Sequence, residues 1–165
     1  MDWVVIVVQW LHVLLGILWF GNALVLDLIV IPAINRLPIV AQREIASYLG
    51  SRSVPIFHVV VPLIILLGVI RGTLLGPIKS LDFLFGSAYG LTWLVALIAA
   101  ITTYLWGLFV IIPALGAMNA IPLNPDGSGT PELERATDRV KLVVSLELIG
   151  FLVIFTCMIL MRFGL

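Results

Sequence analysis

The first apolar run of the chain reads WVVIVVQWLHVLLGILWFGNALVL, from Trp3 to Leu26, and carries no formal charge. About 20 apolar residues are enough to cross the roughly 30 Å hydrocarbon layer of a bilayer. This run of 24 residues is therefore long enough for one transmembrane helix. The segment Met1-Asp2-Trp3 lacks the basic start of a cleavable signal peptide, so we expect the run to be a retained first span.

Composition extends this interpretation to the whole chain. Of the 165 residues, 62% are hydrophobic and 11% are charged, which excludes a water-soluble globular domain. The nine basic and nine acidic residues leave no basic face for nucleic acid. We therefore predict an all-α fold, an integral membrane four-helix bundle of up-down topology, formed by a single transmembrane domain over residues 1–165. The predicted helices cover about 3–34, 53–75, 88–116 and 131–162, with a short cytoplasmic amphipathic helix over 38–49.

The distribution of basic residues predicts the orientation of this bundle. Four spans put both termini on one side and the loops 35–52 and 116–140 on the other. Five of the nine Lys and Arg residues fall in those two loops, and a sixth, Lys141, directly follows the second loop. The positive-inside rule then places both loops in the cytoplasm and both termini outside.

A short internal repeat accompanies the first and third spans. The sequence VIPAI at residues 30–34 ends the first span, and IIPAL at residues 111–115 ends the third. Both spans run in the same direction across the membrane. A duplicated two-helix hairpin would explain the repeat.

One face of the first span carries its polar side chains. At 100° per residue, six residues fall within a sector about 80° wide. Polar groups cannot be satisfied by lipid, so this face must point into the bundle. Gly16 would leave room there for a flat ligand. The six residues are Gln9, His12, Gly16, Trp19, Ala23 and Asp27.

The two histidines are the strongest candidate ligands. The single cysteine, Cys157, excludes an internal disulfide and a cysteine-based metal site within one chain. His12 and His58 fall at comparable depths, about 14 and 20 Å from the same side, as the axial ligands of a haem iron must. Alternatively, each imidazole forms a hydrogen bond with a neighbouring helix.

The sequence around His12 resembles two families. Leu11-His12, followed by the sequence LWFG at residues 18–21, is similar to the first-helix signature of the CopD family of copper-resistance membrane proteins. The spacing from His12 to Trp19 also resembles that of HemJ-type protoporphyrinogen oxidases, which are small haem-binding helical bundles of bacterial membranes. The resemblance implies that His12 is a haem or metal ligand and that Trp19 and Gly21 shape its pocket.

The function expected from these features is that of a b-type haem protein of a bacterial-type plasma membrane. His12 and His58 would be its axial ligands, and quinol or a periplasmic protein its redox partner. Porphyrin-related chemistry, as a membrane oxidoreductase, would fit the same cofactor. The alternatives are a CopD-type copper permease with Met158 beside the histidines, and an accessory subunit of a larger complex. A homo-oligomer is compatible with each of them.

Two acidic residues complete the candidate set. Glu147 lies near the depth of His58, where it could relay protons, or at the cytoplasmic interface beside Lys141. Asp27 falls close to the cytoplasmic headgroups, where it could pair with Arg36 or Arg139. No phosphate-binding loop and no Ser-His-Asp set occurs in the sequence.

Overall fold

A computed structural model describes residues 2–165, so Met1 lies outside the described part of the chain. These residues form helices and connecting turns, with no strand among them. Four of the helices are long and apolar enough to cross a membrane. The helices are α1 (Trp3–Ile34), α2 (Ile39–Gly72), α3 (Leu81–Gly86), α4 (Ala88–Ala120) and α5 (Pro131–Arg162).

The four long helices alternate in direction. His12 of α1 lies beside Ile64 of α2, and Trp106 of α4 lies beside Val143 of α5, so each pair is antiparallel. Trp93 reaches Gly68 and thereby joins α4 to α2. The predicted all-α, up-down membrane bundle is confirmed. We call the end that carries both chain termini the terminal end, and the opposite end the loop end.

The second helix differs from the sequence prediction. Residues 38–49 and the second span were expected to form separate helices, whereas α2 continues from Ile39 to Gly72 without a break. Contacts with other segments hold its first turns in line. Arg43 donates a hydrogen bond to the carbonyl of Ile121, and Ile39 packs against Gly129. These contacts come from the linker after α4, which the local sequence of α2 cannot reveal.

Short polar side chains define where the helices begin. Asp2, Ser80, Ser87 and Thr130 each accept a hydrogen bond from a backbone N–H in the first turn of the following helix. Such N-caps satisfy donors that have no partner within the helix. The Ser80 cap also starts α3, a six-residue helix that the sequence analysis did not include.

The linker before α5 folds into a compact turn. Asp126 accepts hydrogen bonds from the backbone N–H and the hydroxyl of Ser128. These bonds favour the charged carboxylate and lower the pKa of Asp126. Gly127 has a φ of +80°, which a residue with a β-carbon rarely adopts. The turn positions Thr130 to cap α5.

Two of the membrane helices contain a wide π-helical turn, each at the same place in the internal repeat. The turns cover Leu26–Val30 in α1 and Gly107–Ile111 in α4. One residue separates the end of each turn from a proline, namely Pro32 in α1 and Pro113 in α4. A helical proline has no N–H and its ring crowds the carbonyl four residues earlier, so a wider turn relieves the helix.

Candidate intramembrane cavity

Both π-turns border one cavity of about 190 Å³ at the loop-end half of the bundle. Irregular backbone at membrane depth is tolerated where it lines a cavity, and π-turns often occur at functional sites. Helices α1, α2, α4 and α5 all contribute to the wall. Its polar members are Asn22, Asp27, Ser53, His58, Tyr104 and Glu147.

The two carboxylates of the cavity come from different helices. Glu147 of α5 and Asp27 of α1 both line its wall. The Oε1 atom of Glu147 is 3.5 Å from the position that a β-carbon on Gly107 would occupy. The missing side chain of Gly107 thus leaves room for the Glu147 carboxyl beside the π-turn of α4.

Neither carboxylate has a basic partner. Within residues 2–165 a single ion pair is formed, between Lys141 and Asp138 on the exposed surface of α5. The pairing of Asp27 with Arg36 or Arg139, which the sequence suggested, is therefore not made. Of the two positions considered for Glu147, the structure places it on the cavity wall.

His58 is the third ionisable residue of the cavity. Its Nδ1 lies 2.7 Å from the carbonyl oxygen of Val54, one turn earlier in α2. If Nδ1–H donates this bond, Nε2 is left as the unprotonated nitrogen. The imidazole is then able to accept a proton or to ligate a cation through Nε2.

His12 lies outside this cavity, at the interface of α1 and α2. Its Nδ1 is 3.0 Å from the carbonyl oxygen of Ile64, and its Cε1 is 3.0 Å from where a β-carbon on Gly68 would be. Ile64 and Gly68 follow His58 by six and ten residues, or about 9 and 15 Å along α2. The two histidines are therefore brought to different levels of the bundle.

Trp93 of α4 is the residue of the third span that aligns with His12. The alignment follows when the two VIPAI-like segments are superimposed. Trp93 donates its indole N–H to the carbonyl of Gly68 at 3.4 Å, one turn from the carbonyl that His12 contacts. Both rings therefore direct a nitrogen at α2, whereas an exact duplication of the hairpin would direct Trp93 at α5.

Trp19 and Gly16, the two other residues of the first span predicted to shape a ligand pocket, have different surroundings. Trp19 lines the cavity and packs edge-to-face on Phe151 of α5, with ring centroids 4.7 Å apart. A β-carbon on Gly16 would meet nothing within 4 Å, so Gly16 does not bring two helices into close contact. The space beside Gly16 is open.

The sequence analysis missed three polar residues of the cavity: Asn22, Ser53 and Tyr104. Asn22 lies one turn from Trp19 and Asp27, but one residue away from the chosen stripe. Tyr104 carries a hydroxyl in the middle of the charge-free third span, and this polar group was a usable signal. Ser53 offered none, because its Oγ also satisfies the carbonyl of Leu49 within α2.

Searches of protein-family models, of curated proteins and of solved structures each find no match to this chain. Within residues 2–165, no three His, Cys, Asp or Glu side chains come close enough together to hold a metal ion.

Proposed function

We propose that the chain is a proton-linked membrane permease for a small cation. The observation that carries this proposal is the cavity between the four spans, in which Asp27 and Glu147 lie without a basic partner and His58 completes the wall. Ionisable residues within membrane spans are costly and mark ion pathways and proton relays. Two carboxylates that line one cavity can carry a proton or a cation there.

The size and chemistry of the cavity support a small substrate. Its volume of about 190 Å³ would hold about six water molecules at roughly 30 Å³ each. Pockets for drug-sized ligands are larger, about 300–1,000 Å³. The carboxylate and imidazole groups suit protons and borderline divalent cations, whereas Cu(I) prefers sulfur ligands. A copper permease of the CopD type would use the same cavity for a different cation.

We further propose that the loop end faces the cytoplasm of a bacterial-type plasma membrane. Five of the nine basic residues lie in the segments 35–52 and 116–140 at that end, and Lys141 directly follows them, as the positive-inside rule requires. The cavity would then open towards the cytoplasmic half of the bilayer. Proton release on that side would follow from uptake at the terminal end.

Proton flux into vesicles tests the permease. In proteoliposomes that contain a pH-sensitive dye, an external acid step with the membrane potential clamped should acidify the interior faster than in empty liposomes. Glu147→Gln and Asp27→Asn should each lower the initial rate at least about tenfold, because an amide cannot relay a proton. Glu134→Gln is the matched control, since Glu134 is exposed in the first turn of the same helix.

Equal rates in wild type and Glu147→Gln, or a wild-type rate no higher than that of empty liposomes, would refute proton linkage through the cavity. The same vesicles can identify the transported cation. An outward flux of protons driven by external Zn²⁺ or Cu⁺ would identify an exchanged metal ion. Proton flux that responds to neither ion would reduce the function to proton conduction.

A second candidate is the haem binding that the resemblance to HemJ-type proteins implies. Both imidazoles place Nδ1 against a backbone carbonyl, which is the arrangement that leaves Nε2 for an iron. The histidines do not fit one haem held by both of them, because they lie at different levels and the cavity is small for a macrocycle. Haem would therefore need a separate site at one histidine, with quinol or a periplasmic protein as the redox partner.

The absorption spectrum of the purified protein tests this candidate. A b-type haem at His58 should give a Soret band after haem supplementation, which His58→Ala abolishes and His12→Ala leaves in place. The opposite pattern would assign the ligand to His12. Absence of a Soret band in the supplemented wild type would exclude the candidate, and with it quinol-linked redox chemistry by this route.

A further inference from the structure

Arg71 lies near the end of α2, at the terminal end of the bundle, and its guanidinium is incompletely paired. Its Nε is shielded from solvent and has no hydrogen-bond partner, the one side-chain nitrogen or oxygen of this kind within residues 2–165. Its Nη1 donates to the carbonyl of Leu75 at 3.3 Å. No carboxylate within residues 2–165 lies within 4.0 Å of the guanidinium, because the one ion pair is formed elsewhere.

A second, shallow pocket that is largely open to the outside lies beside this guanidinium, away from the acidic cavity. It has a volume of about 390 Å³, and its wall combines the Arg71 side chain with the first turns of α1. Gln9 adds one amide to an otherwise apolar surface. The apolar residues are Val5, Ile6, Trp10 and Val13.

The pocket lies near the terminal end of the bundle, beside the first turns of α1. Gln9 is six residues from Trp3, the first residue of α1, or about 9 Å along the helix. Trp3 and Trp10 are 72% and 62% exposed, as expected of indole rings in the interfacial belt of a membrane protein. If these indole rings mark the interface, the pocket lies at the depth where headgroups meet acyl chains.

An anionic amphiphile satisfies both parts of the pocket. A guanidinium donates two parallel hydrogen bonds to the oxygens of a phosphate, and its unpaired Nε is part of that fork. Nε is shielded from solvent, so the Arg71 side chain must turn towards the ligand before Nε can donate to it; a ligand that accepts from Nε then satisfies a donor that is otherwise unpaired. The apolar wall offers a surface for an acyl chain.

We propose that this pocket binds the phosphate of an anionic phospholipid, with Arg71 and Gln9 on the phosphate oxygens and an acyl chain along Val5, Trp10 and Val13. The proposal is independent of the acidic cavity and of any transport activity. It assigns to the terminal end a lipid site that neither the histidines nor the carboxylates require.

Lipid binding to the purified full-length chain in detergent tests this site. Native mass spectrometry with equimolar phosphatidylglycerol and phosphatidylcholine should show at least about tenfold preference for phosphatidylglycerol, the effect of one charge-assisted hydrogen-bonded pair. Arg71→Gln should remove the preference, and Arg71→Lys, which keeps the charge without the fork, should retain part of it. Arg162→Gln is the matched control, because Arg162 is exposed at the same end of the bundle.

Three results would overturn the proposal: equal binding of the two lipids, equal loss of preference in Arg162→Gln, or displacement of the bound lipid by millimolar inorganic phosphate, which would indicate a simple anion site.

If Arg71→Gln does not fold, the variant Val13→Trp tests the lipid site instead. It fills the apolar groove and leaves Arg71 intact, so it should lower phosphatidylglycerol binding without changing the helix content measured by circular dichroism. Unchanged binding in Val13→Trp would also contradict the proposed acyl-chain contact.

Discussion

Single glycines determine how closely the helices of this bundle approach each other. A β-carbon on Gly150 of α5 would collide with the Thr103 side chain of α4, which is 4% exposed. A β-carbon on Gly68 would lie 3.0 Å from the His12 ring, a tight contact between α1 and α2. In membranes, small residues let helices pack closely where the hydrophobic effect cannot drive them together.

Replacement of Gly150 should therefore destabilise the bundle. Gly150→Ala forces α4 and α5 apart, and we expect it to lower the free energy of unfolding by about 1–3 kcal/mol, a typical cost of overpacking. Unfolding in increasing concentrations of a denaturing detergent measures this change. Gly50→Ala is the control, since a β-carbon there meets nothing within 4 Å, and it should leave stability unchanged or raise it by up to about 1 kcal/mol. Equal stability of the two variants would contradict the close contact.

The paired π-turns are the distinctive elements of α1 and α4. In each, the N–H of the isoleucine that follows the turn donates to the carbonyl five residues earlier, from Ile31 to Leu26 and from Ile112 to Gly107. A π-turn accommodates one extra residue, so the helix before it is rotated relative to the helix after it. This rotation sets the direction of Asp27 and the position of Gly107 against Glu147.

Removal of a proline should convert one π-turn into regular α-helix. Pro113→Ala restores an N–H that can donate to the carbonyl four residues earlier, so the helix should be at least as stable and re-registered by about 100° at the turn. We expect proton flux into proteoliposomes to fall about fivefold or more while thermal unfolding shows no loss of stability. Pro55→Ala is the control, because Pro55 lies in α2 without a π-turn and outside the cavity wall. A flux equal to that of wild type would show that the turn does not shape the cavity.

At the scale of the whole molecule, most apolar side chains face outward. Helix α1 has no buried residue, and large hydrophobic side chains such as Ile17 and Leu28 are 64% and 66% exposed. In water such a surface would aggregate, whereas in a bilayer lipid covers it. Polar groups are concentrated between the helices and at their ends. The interior of the bundle is therefore the region available for chemistry, and the surface is the region available for lipid.

The sequence by itself determined the all-α class, the four spans and the polar face of the first span. These properties are local, because a helix needs only length, hydropathy and a 100° periodicity to be recognised. The same periodicity predicted that Trp19 and Asp27 face the interior, where the cavity now places them. The repeat of residues 30–34 in residues 111–115 also predicted a duplication, and the matching π-turns support it.

The tertiary structure alone decided which faces meet. Periodicity assigns a residue to a face but does not identify the opposing helix, so sequence could not place Glu147 beside Gly107 or separate His12 from His58 along α2. The continuity of α2 likewise depends on Arg43 reaching Ile121, 78 residues away. The physical reason is that axial offsets and interhelical contacts arise from packing between distant segments, whereas hydropathy reports the affinity of each segment for the bilayer.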